Sequence, residues 1–280
     1  MTDESARTEV AVPPPELKTM VLKLDGEIGT LTLNRPEALN AMDPIMIGEL
    51  PLIASWLADS APLRALIVTG AGRAFCAGGD VNWFQRGVED DAVDLPSNVR
   101  QAADVLHQGM IDFRRIPFPV IAAINGPAAG AGLSLALMCD TRIASEEAFL
   151  AVAYGRIGAS PDGGMTYFLP RLLGPSRAIE LMLNDPNLSA EDALAIGLVS
   201  KVVPADALMD EARAKAAELA EKAPYYVRMT KLLVSQSLDN TLADHLQLER
   251  HGIAESMGTE DLRNGLRAFL AGEKAEFKGR

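Results

Sequence analysis

Along the chain, short alternating or unbroken apolar runs give way to apolar positions at helical spacing, and the exchange repeats. Val21–Leu24 and Glu27–Leu33 alternate in polarity around Asp25-Gly26, a hairpin signal. Pro44–Ala58 carries Ile45, Ile47, Leu50, Ile53 and Leu57 at helical spacing, with Asp43-Pro44 as N-cap and first helical residue. Leu63–Thr69 reads as a buried strand that runs into Gly70–Asp80 (GAGRAFCAGGD). Residues 81–97, with acidic residues at Glu89, Asp90, Asp91 and Asp94, read as a mobile loop before a helix over Asn98–Arg115. Pro119–Ile124 is a strand, followed by a small-residue turn and an apolar helix within Asn125–Asp140 (NGPAAGAGLSLALMCD).

Short strands are expected at Asp140–Ala144 and Ala148–Ala153, a loop over 156–164 and a helix from about Met165. Helices near 175–184 and 189–196 precede a strand at Leu198–Val203. Past Pro204 only helices are predicted, over 205–222, 224–238, 240–257 and 259–271, with breaks at Pro224 and Gly258. An α/β portion over residues 17–203 therefore leads into a helical end over 204–280, and the strand–helix alternation fits βαβ units.

Composition narrows the classes. A net charge of −12 opposes a nucleic-acid partner, although a local basic cluster can still hold phosphates. Two cysteines, Cys76 and Cys139, cannot build a disulfide framework, and three histidines without a Cys/His cluster predict no metal site. Residues 1–16 read as a disordered tail without the apolar centre of a signal peptide, and no apolar run approaches the ~20 residues of a membrane helix. A cytoplasmic protein with no membrane partner is expected.

The turn within Asn125–Asp140 has two readings. One is a packed strand–turn–helix unit; the other is a pocket into which free backbone N–H groups point, suited to an oxygen that becomes anionic. Gly70–Asp80 matches neither the dinucleotide nor the P-loop glycine pattern. It does follow a buried strand, as the other turn does, so the two loops can offer one N–H each to a single oxygen. Asp162 in Ser-Pro-Asp-Gly-Gly is either a helix N-cap or a carboxylate at a pocket wall, acting as base or nucleophile. A base there needs apolar surroundings, which Tyr154 and Met165 can supply. His107, beside Leu106 and Met110, reads as a packed core histidine, and Cys76 as a small packing residue. A Ser-His-Asp hydrolase from Ser134 or Ser160, His107 and Asp162 has no nucleophile-elbow motif behind it.

Taken together, LTLNRPEALNAM (31–42), LIVTGAGRAFCAGGDV (66–81), FPVIAAINGPAAGAGLSLALMCDTRIAS (118–145), RIGASPDGGMTYFLPRLLG (156–174), LSAEDALAIGLVSKVV (188–203) and FLAGEKAEFKGR (269–280) resemble the crotonase (enoyl-CoA hydratase/isomerase) superfamily. The resemblance implies an α/β spiral ββα core, a C-terminal helical region that builds homotrimers or hexamers, and an acyl-CoA thioester substrate. Coenzyme A is then part of the substrate, and no separate cofactor is implied.

By the same resemblance, the backbone N–H groups of Gly79 and Ala131 are the oxyanion donors. Residues 77–80, with Ala77, Gly78 and Asp80, match the segment that lines the CoA pantetheine. Gly130 lies in the turn 130–132 that forms half of the oxyanion hole and is read as substrate-binding. Ala38 and Leu39 match the stretch near the nucleotide end. Phe277 and Lys278 belong to a tail that reaches a neighbouring subunit's CoA. Hydratases of the family place one glutamate on each of two segments; here those positions hold Ser134 and Tyr154, leaving Asp162 as the carboxylate. NGPAAGAG, PDGGMT and LERHG (248–252) are most similar to the epoxyphenylacetyl-CoA isomerases and related enoyl-CoA isomerases, whose PD aspartate is the base. A 4-chlorobenzoyl-CoA dehalogenase-like hydrolase using Asp162 and His107 is the alternative, beside an atypical hydratase and a non-catalytic binding protein of the same fold.

Overall fold

The structure, a computed structural model, describes residues 12–280. β1 (Met20–Asp25) and β2 (Ile28–Leu33) form the expected hairpin, with Gly26 at φ +57° in the turn. That backbone region is open to glycine and disfavoured for other residues, which is why Asp-Gly marks the turn. After α1 (Pro44–Asp59) comes β3 (Ala65–Gly70), then α2 (Val81–Glu89), α3 (Leu95–Arg114), β4 (Val120–Ile124), β5 (Ala128–Ala129) and α4 (Ala131–Met138). β6 (Thr141–Ser145), β7 (Phe149–Ala151), α5 (Met165–Leu173), α6 (Pro175–Asn184), β8 (Leu188–Ser189), α7 (Ala190–Ala195) and β9 (Lys201–Val203) complete the α/β part. α8 (Leu208–Ala220), α9 (Pro224–Gln236), α10 (Leu242–Ser256) and α11 (Glu260–Ala271) are the helical end.

The main sheet runs β1-β2-β3-β4-β6-β9 and is parallel from β2 onward, while β5, β7 and β8 form a small second sheet. The unbroken apolar runs of β3 and β4 follow from burial on both faces. Leu66, Val68, Val120, Ala122 and Ile124 face the larger core under α1, α3 and α4. Their alternates Ala65, Ile67, Ile121 and Ala123 meet Leu208, Ala212 and Ala216, spaced four apart on α8. α1 starts as predicted: the Asp43 side chain accepts from Met46 N at 2.9 Å, with Pro44 following. Where α3 crosses α1, a Cβ on Gly109 would stand 2.9 Å from Pro51 N, so only glycine admits this approach.

The loop expected over 81–97 is instead α2 and the first turn of α3. Asp80 accepts from Asn82 N at 3.0 Å and Asp94 from Ser97 N at 3.2 Å, so two acidic residues in this region cap helices.

Besides the packing of α8 on the sheet, a buried ion pair ties the helical end to the core. Asp140, next to β6, accepts from Lys231 Nζ of α9 at 2.6 Å, from Arg114 Nη1 of α3 at 3.0 Å and from Val120 N of β4 at 2.8 Å. Lys231 also donates to Phe118 O at 2.7 Å. Burial lowers the Lys231 ammonium below its usual range against the opposing pull of Asp140.

In the first turn of α11, buried Asp261 accepts from Lys278 N at 2.6 Å and Gly279 N at 2.8 Å, laying the last residues back on their own chain. Of the tail expected over 1–16, residues 1–11 lie outside the described residues; Trp56 Nε1 donates to Val12 O at 2.8 Å. Among the described residues, no helix is long and apolar enough to cross a membrane.

Candidate functional site

The two small-residue loops are pressed together, as their placement after neighbouring strands β3 and β4 suggested. Cys76 bridges Ala128, and Ala129 N donates to Cys76 O at 2.9 Å. A Cβ on Gly132 would fall 2.2 Å from Cys76 O, and one on Gly78 3.0 Å from Ala129 O. Two asparagines hold the first loop in shape. Buried Asn40 donates to Ala71 O (2.9 Å) and Ala74 O (2.8 Å), and Asn125 accepts from Gly70 N at 3.1 Å.

The peptide N–H groups of Gly79 and Ala131 have no hydrogen-bond acceptor among the described residues. Ala131 opens α4, so its N–H belongs to the unpaired first turn at the positive end of the helix. Gly130, the N-cap, adopts φ +51° to turn the chain into the helix. Ring Cε2 of Phe84, on α2, lies where it would stand 2.9 Å from a Cβ on Gly79, so α2 covers this peptide.

The neighbouring expected contacts are largely engaged within the protein. Ala77 N donates to Leu39 O at 3.0 Å and Gly78 O accepts from Met42 N at 2.7 Å, joining the Ala38–Leu39 turn to the loop. The Asp80 carboxylate caps α2 and pairs with Arg35 at 3.0 Å. Burial pushes its carboxyl up, but Arg35 and the amides of Asn82 and Trp83 together hold it below the usual range. Burial raises the Cys76 thiol to about 12, so it is no nucleophile at neutral pH.

Asp162 does not cap a helix. α5 begins at Met165 with Gly164 as its N-cap, and only the Asp162 carbonyl receives a bond from it, from Met165 N at 3.0 Å. The two intervening glycines, at φ +59° and +82°, set the carboxylate back from the helix start. Its Oδ1 instead accepts from Tyr154 OH at 2.6 Å. Ser134, buried on α4, donates from Oγ to Asp162 O at 3.1 Å. Thus the two positions where glutamates were sought both hold the Asp162 turn. Tyr154 is itself fixed from behind: Ala153 sits at φ +64° with its N–H bound to Asp185 Oδ1 at 2.7 Å. Such a backbone costs an alanine roughly 1–2 kcal/mol, which the bond to Asp185 helps offset. Burial, and then the Asp162 charge, keep the Tyr154 hydroxyl protonated. Tyr154 links the halves of the site, because its Cζ would lie 3.9 Å from a Cβ on Gly130.

His107 is exposed, not packed in the core. The buried stripe of α3 is Leu106, Gly109, Met110 and Phe113, and residue 107 falls to the side of it. Its ring lines a cleft of about 1120 Å³ between α3, α5, α9 and α10, together with Asp162, Gly163 and Met110. Gly163 N donates to His107 Nε2 at 3.3 Å. Phe277 and Lys278 do not line this cleft; Phe277 packs on Gly265 of α11. Arg35, Asn40 and Asn125, which brace the loops, were not singled out from sequence, although NRPEALN and ING contain them.

Known proteins resemble this chain over most of its length. A profile of the enoyl-CoA hydratase/isomerase family matches residues 24–280. The 1,2-epoxyphenylacetyl-CoA isomerase of Escherichia coli is 38% identical over 251 residues, covering 90% of this chain and 95% of that protein. The short-chain-enoyl-CoA hydratase of Clostridium acetobutylicum is 33% identical over 270 residues, 95% of this chain and 100% of its own. A crystal structure of an enoyl-CoA hydratase from Bacillus anthracis superposes with a TM-score of 0.86 at 33% identity, covering 94% of this chain and 100% of that one.

Proposed function

Because this chain belongs to the enoyl-CoA hydratase/isomerase family, we propose that it shifts the double bond of an enoyl-CoA thioester by proton transfer at Asp162. The observation that carries the reading is the environment of that carboxylate. Tyr154 and Ser134, read by resemblance as the positions of a hydratase's two glutamates, are both bound to the Asp162 turn. Water addition needs one group to activate water and another to protonate carbon; a 1,3-proton shift needs a single base that takes a proton at C2 and returns it at C4.

The thioester oxygen accepts from the free N–H groups of Gly79 and Ala131 as the dienolate forms. Each such donor is worth roughly 3–4 kcal/mol in the transition state. Ala77, Gly78 and Gly130 border this peptide pair, and Ala38 and Leu39 are read as lying near the nucleotide end of CoA. Assembly into a trimer or hexamer belongs to the same reading. It is supported by the apolar side chains left exposed on α10 and α11, among them Leu242, Phe269 and Leu270. Phe277 and Lys278 are read as meeting a neighbouring subunit's CoA there.

The test compares wild type with Asp162→Asn on 3-enoyl-CoA, 2-enoyl-CoA and 4-chlorobenzoyl-CoA. Asparagine keeps the shape and still accepts from Tyr154, but it takes up no proton. Isomerisation is expected to fall by about 10²–10⁴-fold. Undiminished isomerase activity in the variant, or hydration faster than isomerisation in wild type, would end the proposal. Chloride release would favour the dehalogenase-like alternative, in which His107 assists Asp162. Binding of every CoA ester without turnover would favour a non-catalytic role.

A further inference from the structure

The turn that presents Asp162 is held at three points. Tyr154 OH binds the carboxylate, Ser134 Oγ binds the Asp162 carbonyl, and His107 Nε2 accepts the N–H of the next residue, Gly163. The turn has little room to find another shape. A Cβ on Gly163 would stand 3.1 Å from Ser134 Cβ and 3.5 Å from Met110 Cε, and its φ of +59° is a glycine conformation. Two of the anchors are hydroxyls, which keep their protons through neutral pH. The third differs in kind. A neutral imidazole accepts at one nitrogen only, so the contact places the ring proton on Nδ1; a doubly protonated ring has no acceptor left.

We propose that His107 is the positioning residue of Asp162: its unprotonated Nε2 holds the Gly163 amide and thereby the turn, and a proton on that nitrogen releases it. The inference rests on the reading of Asp162 as proton shuttle. Water reaches the ring, since His107 is exposed on the wall of the cleft. The same cleft is lined by Asp162 of the turn, by Arg114 and Arg115 at the end of α3 and by Asp239 between α9 and α10; Asp104 lies one helical turn before His107. Arg228 and Lys231 line the cleft from α9, and His251 and Glu255 from α10. Protonation sets an N–H against the Gly163 N–H. The turn that carries Asp162 then loses one of its three anchors.

The experiment uses His107→Ala and His107→Gln in the full chain, with kcat and KM for 3-enoyl-CoA followed from about pH 5 to 9, across the range where histidine titrates. The Gly163 amide resonance is followed over the same range. The alanine variant is expected to lose about tenfold in kcat, the size of one neutral hydrogen bond, with KM nearly unchanged. Glutamine, whose oxygen accepts but does not titrate, should restore most of kcat and remove the acid limb due to His107. In wild type the Gly163 amide should shift with the His107 titration; in the glutamine variant it should not.

Wild-type kcat in the alanine variant, or an unchanged acid limb in the glutamine variant, would overturn the assignment. So would a Gly163 amide that ignores the His107 titration. Failure of the parent reading shows separately, as full turnover by Asp162→Asn.

Discussion

Replacing Asp140 by asparagine and Lys231 by methionine cuts the same ion pair from opposite ends, and the structure predicts unequal costs. The Lys231 side chain is 14% exposed and that of Asp140 21%, so neither charge is well hydrated. Without the carboxylate, the ammonium has no counter-ion and keeps Phe118 O, and Arg114 loses its counter-ion as well. Stranding a buried charge costs about 3–5 kcal/mol. The lower figure applies here, because the asparagine oxygen still accepts from one cation. Lys231→Met removes the charge and keeps the apolar stem, while Asp140 retains Arg114 at 3.0 Å and Val120 N at 2.8 Å. Two hydrogen bonds are lost, those to Asp140 and to Phe118 O, at about 1 kcal/mol each. The double variant should therefore be more stable than Asp140→Asn alone, since no ammonium is left unpaired. Urea unfolding at fixed protein concentration, with slopes compared, reads these differences. A Lys231→Met cost equal to that of Asp140→Asn, or a double variant no more stable than Asp140→Asn, would refute the reasoning.

Tyr154→Phe removes a donor from a charged acceptor, worth about 1.5–3 kcal/mol. It should lower kcat for 3-enoyl-CoA by roughly ten- to a hundredfold, with KM nearly unchanged, because the Asp162 carboxylate loses the bond that holds it. Asp80 binds its proton more weakly in the folded chain than its ordinary value of 3.8, so the unfolded chain holds more protons in acid. Its contribution to stability is then complete above about pH 4 and lost as pH falls through the lower folded value. Acid unfolding of Asp80→Asn should lack this component of the slope.

Much of the site was legible because its logic is local. Small residues after a buried strand mark both loops, and Asp-Pro and Asp-Gly mark the ends of α1 and β1. Other parts depend on distance in the fold. The strands of the small sheet are two or three residues long and show no period of their own. The Tyr154–Asp162 bond needs Ala153 in a left-handed conformation set by Asp185, 32 residues further on. The place of His107 followed from which residues of α3 are buried, and its neighbours in sequence pointed the other way. The acidic run before α3 was misread although the signal was present, since Asp94 followed by Pro96 is a helix start.

Ser134 also bears on how such chemistry can be changed. It is fully buried, its hydroxyl holds the Asp162 carbonyl, and its Cβ lies 3.1 Å from where any side chain on Gly163 would begin. A glutamate at this position would add three heavy atoms and a charge to space the Asp162 turn already fills. A Ser134→Glu substitution therefore does not simply add an acid beside Asp162; it displaces the turn that carries the carboxylate already there.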